Sequence, residues 1–129
     1  MPTLDIFQQS AEALPFEAGD VIFSQGDPAG PMLVVIEGHV EIRVDGLLVD
    51  TIGPGGVVGE MALIDSDPRS ASVLAITGGK YVEVGEKRFL FLVQNTPYFA
   101  IEMLQILAKR LRHMDKLIGT VGPKSSGAA

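Results

Sequence analysis

The sequence has no cysteine, which excludes structural disulfides, iron–sulfur ligation and thiol catalysis and makes a reducing compartment, the cytoplasm by default, the expected setting. Long apolar runs are missing too. MLVVI and FLFLV fall far short of the roughly 20 residues that span a bilayer, so no membrane segment is expected. The N-terminal MPTLDIFQQS has no basic region followed by an apolar stretch, so nothing suggests export. Positive charge is also scarce: 10 Lys and Arg against 16 Asp and Glu leave a net charge of −6. That balance opposes non-specific nucleic-acid binding but not one small anion held in a local site. What remains is a 129-residue chain, 47% hydrophobic, enough for one domain that buries roughly two-thirds of its unfolded surface.

Glycine and proline recur at short intervals from Phe16 to Val84, and between them lie the runs VIF, MLVVIE, HVEIRV, LLVDTI, ASVLAI and KYVEV. Many short β-branched runs with regular turn punctuation predict an antiparallel sandwich or barrel. In HVEIRV, Val40, Ile42 and Val44 alternate with His39, Glu41 and Arg43, one face for a core and one for water. Asp45-Gly46 supplies a tight hairpin turn into LLVDTI.

Both ends read as helical. A weak helix is expected over residues 3–13. After Gly85 a helix from Glu86 to Gln94 stops before Thr96-Pro97, and a second runs from Tyr98 to Ile118, ended by Gly119. The second narrows to a seam of Leu104, Leu107, Leu111, Met114 and Ile118, spaced by three and four as in a helix that packs on another helix or covers a groove. TVGPKSSGAA reads as a disordered tail.

The stretch GPGGVVGEMALIDSDPRSAS carries the chemistry. Gly53, Gly55, Gly56 and Gly59 let backbone approach a ligand. A helical turn over Glu60 to Ile64 would expose N–H groups around Ala62 and Leu63 to an anion. Arg69 adds a full positive charge able to hold two phosphate oxygens, with Ser70 donating beside it. A carboxylate at Glu60 would repel an anion unless the ligand also carries a hydroxyl for it to accept from, which is the chemistry of a sugar phosphate.

Gly-Glu-x-Ala-Leu followed by Pro-Arg-Ser-Ala-Ser-Val resembles the phosphate-binding cassette of the cyclic-nucleotide-binding domain family, which includes catabolite activator protein, protein kinase A regulatory subunits and cyclic-nucleotide-regulated channels. The similarity spans about residues 7–118, including FEAGDVIFSQGD, IEGHVEI and AKRLR. It implies an antiparallel, jelly-roll-like β-roll over about 16–84 with a C-terminal helical lid over about 86–118, within a domain over 1–119 and a tail over 120–129. It implies that Glu60, with Gly59, holds a ribose 2′-hydroxyl, and that Arg69, Ser70 and the Ala62 and Leu63 amides hold a cyclic phosphate. Ile42, Val49 and Val73 would flank the base, with Met114 and Asp115 near the purine. Val58 stands where a phenylalanine often precedes Gly-Glu. The implied ligand is cAMP, with cGMP the alternative, and no cofactor is needed.

Simpler readings compete. Glu60 and Arg69 alone would be an ion pair bracing a turn. His39 and His113 lack metal-ligand spacing and read as surface histidines. Lys109, Arg110, Arg112, His113 and Lys116 read as the solvated face of a helix, complementing its dipole. No helix-turn-helix follows, so no DNA-reading segment is expected. Ser70 and Ser72 have no histidine partner, so catalysis is not expected. The expected role is a regulatory sensor acting on an unidentified effector protein by moving its last helix. The alternative is an interaction module that binds nucleotide weakly or not at all and docks a partner or pairs with a second copy through that helix.

Overall fold

A computed structural model describes residues 12–121, with the side chains of the last helix described as far as Lys116. Of the helix expected over 3–13 only residues 12–13 are described, and they are not helical; of the tail expected over 120–129 only residues 120–121 are described, and they continue α3. The elements are β1 (Leu14–Phe16), β2 (Val21–Phe23), β3 (Met32–Glu37), β4 (Val40–Val44), β5 (Leu47–Ile52), β6 (Val57–Val58), α1 (Met61–Asp65), β7 (Ser72–Ala75), β8 (Gly79–Val84), α2 (Glu86–Asn95) and α3 (Pro97–Val121). All strand pairings are antiparallel. They form two four-stranded sheets, ordered β1-β8-β3-β6 and β2-β7-β4-β5, the jelly-roll-like arrangement expected.

Strand β3 explains the layering. Its side chains alternate between two cores: Met32, Val34 and Ile36 join Val82, Val84, Leu92, Phe99 and Met103 beneath the helices, while Leu33 and Val35 meet Phe16, Val40, Val58 and Val73 between the sheets. A strand covered on both faces must be apolar at every position, hence the unbroken MLVVI. The β4–β5 hairpin turns through Asp45 and Gly46, both at positive φ (52° and 81°), as a two-residue turn of this hand requires. Gln25 holds Asp45 in that conformation by bonding both its N–H and its carboxylate, at 2.8 and 3.0 Å.

Gly38, between β3 and β4, has φ +84°, and a Cβ there would lie 2.4 Å from the Gly78 carbonyl oxygen. Left-handed geometry and a backbone overlap combine, so Gly38→Ala is expected to destabilise the domain by about 2–4 kcal/mol. Urea unfolding measures this directly.

Helices α2 and α3 meet at Thr96-Pro97, as the sequence reading expects. Pro97 opens α3, where its missing N–H costs nothing, and Phe89 meets Phe99 edge-on with ring centroids 5.5 Å apart. α3 continues through Gly119 to Val121, past the expected end. The seam divides: Leu107 and Met114 face a cavity over the second sheet, whereas Leu104 is 65% exposed. Ile118's side chain lies outside the described residues. Among the described residues, no helix is long and apolar enough to cross a membrane.

Candidate functional site

The β6–β7 connection is anchored at both ends by buried residues, Val57 and Val58 before it and Val73 after it. Gly59 has φ +75°, and a Cβ there would sit 2.5 Å from an Arg69 guanidinium nitrogen and 3.3 Å from the Phe23 ring. The glycine is therefore required both for the turn and for the approach of Arg69. Helix α1 is a single turn held by buried Ala62 and closed by Ser66, which adopts φ 59° and donates its N–H to the Ala62 carbonyl at 3.2 Å. The chain then reverses through Asp67 and Pro68 to deliver Arg69.

Arg69 is 8% exposed. Its Nη1 donates to the Gly59 carbonyl at 3.2 Å and its Nη2 to the Pro31 carbonyl at 2.9 Å. The guanidinium carbon lies 4.0 Å from the Phe23 ring centroid, a cation–π contact. Its backbone is tied to the β2–β3 loop, where Asp27 accepts from the Arg69 N–H and Gly26 donates to the Arg69 carbonyl, both at 2.8 Å. Burial pushes the guanidinium below its usual pKa, with Asp27 and Glu83 pulling the other way. Among the described residues it forms no ion pair. Carbonyls and a ring solvate this cation without neutralising it.

Glu60 is also buried, at 5% exposure, but its partner is not Arg69. Arg110 of α3 donates through Nη1 to Glu60 Oε1 and through Nη2 to the Val57 carbonyl. One turn further along, the His113 ring nitrogen Nε2 lies 2.7 Å from the Val49 carbonyl oxygen. The expectation that Arg110 and His113 belong to a solvated face is corrected here: both share the inward face of α3 with Leu107 and Met114, because residues three and four apart lie above one another. Lys109, Arg112 and Lys116 are exposed as expected.

Together these elements enclose a cavity of about 620 Å³, a volume suited to a small molecule. Gly59, Glu60, Ala62, Arg69 and Ser70 line it from one side, Ile42, Val49 and Val73 from the second sheet and Met114 from α3. Two expected residues do not. Leu63 packs its side chain against the core beneath the helices, and its N–H points to the Glu60 carbonyl at 3.2 Å. Asp115 is exposed and off the cavity wall, at the edge of the helix face that carries Arg110 and Met114.

The profile of the family described as "Cyclic nucleotide-binding domain" matches residues 13–96. The chain belongs to this family. It is 34% identical over 108 residues to the Pycsar effector protein XpPycTIR of Xanthomonas perforans, covering 83% of this chain and 36% of that protein. It is 31% identical over 105 residues to the cyclic AMP receptor protein of Thermus thermophilus, covering 78% of this chain and 49% of that protein. The crystal structure of the Thermus thermophilus catabolite activator protein matches with a TM-score of 0.75 at 29% identity, over 92% of this chain and 58% of that one. The chain thus spans half or less of the curated relatives it is compared with here.

Within this cyclic-nucleotide-binding domain, the sequence reading missed Phe23, Arg110 and His113. The signal for the two α3 residues was their spacing from Leu107 and Met114, since 107, 110 and 114 form one helical stripe. Phe23 left no such trace, because its ring meets Arg69 only after β2 and the β6–β7 loop come together.

Proposed function

We propose that the domain binds a 3′,5′-cyclic nucleotide, cAMP being the expected ligand, and reports its presence through α3 without transforming it. The observation that carries this reading is Arg69, a buried cation with no carboxylate partner among the described residues, facing a cavity that also contains a buried carboxylate. A cyclic phosphate supplies the missing anion, and Ser70 at the cavity wall adds a donor. Glu60 accepts from the ribose 2′-hydroxyl. Its charge does not repel the phosphate, because Arg110 already balances it.

The same ion pair gives binding a route to α3. Glu60 serves both the ligand hydroxyl and Arg110, so occupancy changes the hold on the helix, and the equilibrium shifts by the ligand's differential affinity for the two positions of α3. Hydrogen exchange over residues 109–118 is expected to slow when cAMP is added. Equal exchange in both states would reduce α3 to scaffold. The 2′-deoxy analogue is expected to bind at least about tenfold more weakly than cAMP, since a hydrogen bond to a charged acceptor is lost.

A second reading rests on exposed apolar side chains of the helices. Phe91, Tyr98 and Leu104 are 61%, 70% and 65% exposed, apolar side chains open to contact with a partner. On that reading the domain is an interaction module that pairs through α3, and nucleotide is secondary. Concentration-dependent self-association by a chain that binds neither cAMP nor cGMP would favour it. The effector that receives the signal belongs to the rest of the system and is part of the proposal.

A further inference from the structure

The loop between β2 and β3 holds Arg69 by both its backbone and its side chain. Gly26 donates to the Arg69 carbonyl and Asp27 accepts from its N–H, both at 2.8 Å, while the Pro31 carbonyl accepts from Nη2 at 2.9 Å. Gly30 lies so close that a Cβ there would sit 2.8 Å from the same nitrogen. Yet no residue from 24 to 31 is buried, so the loop has no apolar anchor and its position rests on polar bonds. Asp27 folds back on Ser24, accepting from its N–H at 2.9 Å. That bond stiffens the loop without fixing it to the sheets.

Gln25 makes the bonds that fix it. Its N–H donates to Ser72 Oγ on β7 at 2.8 Å. Its side-chain amide reaches the β4–β5 turn, where Oε1 accepts from the Asp45 N–H at 2.8 Å and Nε2 donates to Asp45 Oδ1 at 3.0 Å. An amide facing an N–H and a carboxylate is matched at both ends. Neither Gln25 nor Asp45 lines the cavity, so these bonds do not serve a bound molecule directly.

We propose that Gln25 is a positioning residue for the anion: by pinning the β2–β3 loop to the β4–β5 turn and to β7, it holds the Arg69 guanidinium in place at the cavity before a ligand arrives. This rests on the cyclic-nucleotide reading. No carboxylate among the described residues is bonded to Arg69, so the loop carbonyl is what fixes Nη2, and a displaced loop releases it. A released arginine has to be ordered again when the phosphate binds, which weakens affinity by up to about tenfold.

The test is a rescue by exchange. Gln25→Glu sets a carboxylate against that of Asp45. Adding Asp45→Asn restores a matched pair with donor and acceptor reversed, at the net charge of wild type, and asparagine tolerates positive φ. Calorimetric titration with cAMP is expected to give Gln25→Glu an affinity about tenfold below wild type, and the Gln25→Glu/Asp45→Asn protein one within about twofold of wild type. Failure of the exchange to restore affinity, in a protein with a wild-type urea transition, overturns the proposal. A second arm asks whether the effect passes through Arg69. Gln25→Ala is expected to weaken binding about tenfold in the wild-type background and to have no further effect in Arg69→Ala, where no guanidinium is left to place. Binding in that weak background is read from NMR shifts. Equal losses in both backgrounds would make Gln25 a general brace of the fold and overturn the proposal. The ligand-free protein supplies an independent readout: ¹⁵N relaxation of the Arg69 Nε–H should report greater mobility in Gln25→Glu than in wild type or the exchange protein. Unchanged mobility contradicts the assignment. Wild type that binds neither cAMP nor cGMP is a separate outcome, which removes the cyclic-nucleotide reading itself and this inference with it.

Discussion

Arg69→Ala is expected to lower cyclic-nucleotide affinity by about two to three orders of magnitude while leaving the domain folded. Truncating one member of a desolvated, hydrogen-bonded charge pair costs about 2–5 kcal/mol, much of it from the opposite charge left without a partner. In the complex that stranded charge is the phosphate. In the free protein no carboxylate among the described residues is bonded to Arg69, so its removal strands no ion among them. The carbonyls of Gly59 and Pro31 lose their donors, a loss of about 1 kcal/mol each that is partly offset by no longer burying an unneutralised cation. Affinity and stability should therefore separate. Calorimetric titration reads the first and urea unfolding the second. Arg69→Lys should fall between, since it keeps the charge but loses the planar fork. A folded Arg69→Ala protein with near-normal affinity would remove Arg69 from the site.

The largest effect on stability is expected at Phe99. Its side chain is fully buried, meets Phe89 edge-on and fills the core shared by Met32, Val34, Leu92 and Met103. Phe99→Ala removes that volume from a layer pinned on one side by a rigid sheet, so the cavity cannot collapse, and the expected loss is about 3–5 kcal/mol. Tyr98, its neighbour, is 70% exposed, and Tyr98→Ala should change stability by no more than about 0.5 kcal/mol. Urea unfolding of the pair tests whether the α2–α3 junction is held by this one ring. Phe99 and Met103 also set where α3 lies, and so where Arg110 and His113 reach the cavity. Phe99→Ala should accordingly weaken nucleotide binding even in the fraction that remains folded. Losses of equal size in the two variants would contradict this account of the junction.

These two residues also mark how far the sequence could be read. The strands from Val21 to Val84 were legible wherever β-branched runs alternated or lay between glycines, and VIF, MLVVIE and LLVDTI match β2, β3 and β5 end to end. β1 and β6 were not anticipated: Pro15 stands in the middle of β1, and the two residues of β6 sit inside the glycine-rich cassette stretch. The cassette was legible because its parts are local: Gly59, Glu60, Ala62, Arg69 and Ser70 fall within one loop and reach one cavity wall. The contribution of α3 was not. A helix shows a stripe in its sequence, but which edge of that stripe turns inward depends on how Phe99 and Met103 seat it. Arg110 and His113 looked like solvated cations for that reason, and Asp115 looked like a base contact. The bulge at Val49, where Ile42 pairs with Asp50 but Arg43 with Leu48, had no sequence mark, and its carbonyl is the one that meets His113.

Whether the cavity between the cassette, the second sheet and α3 holds a 3′,5′-cyclic nucleotide is decided by calorimetric titration of the purified domain with cAMP. Saturable one-site binding at micromolar concentration or tighter is expected, with 5′-AMP, which lacks the cyclic phosphate, failing to compete. No heat and no saturation with either cAMP or cGMP, from a protein shown to be folded by its urea transition, would contradict it.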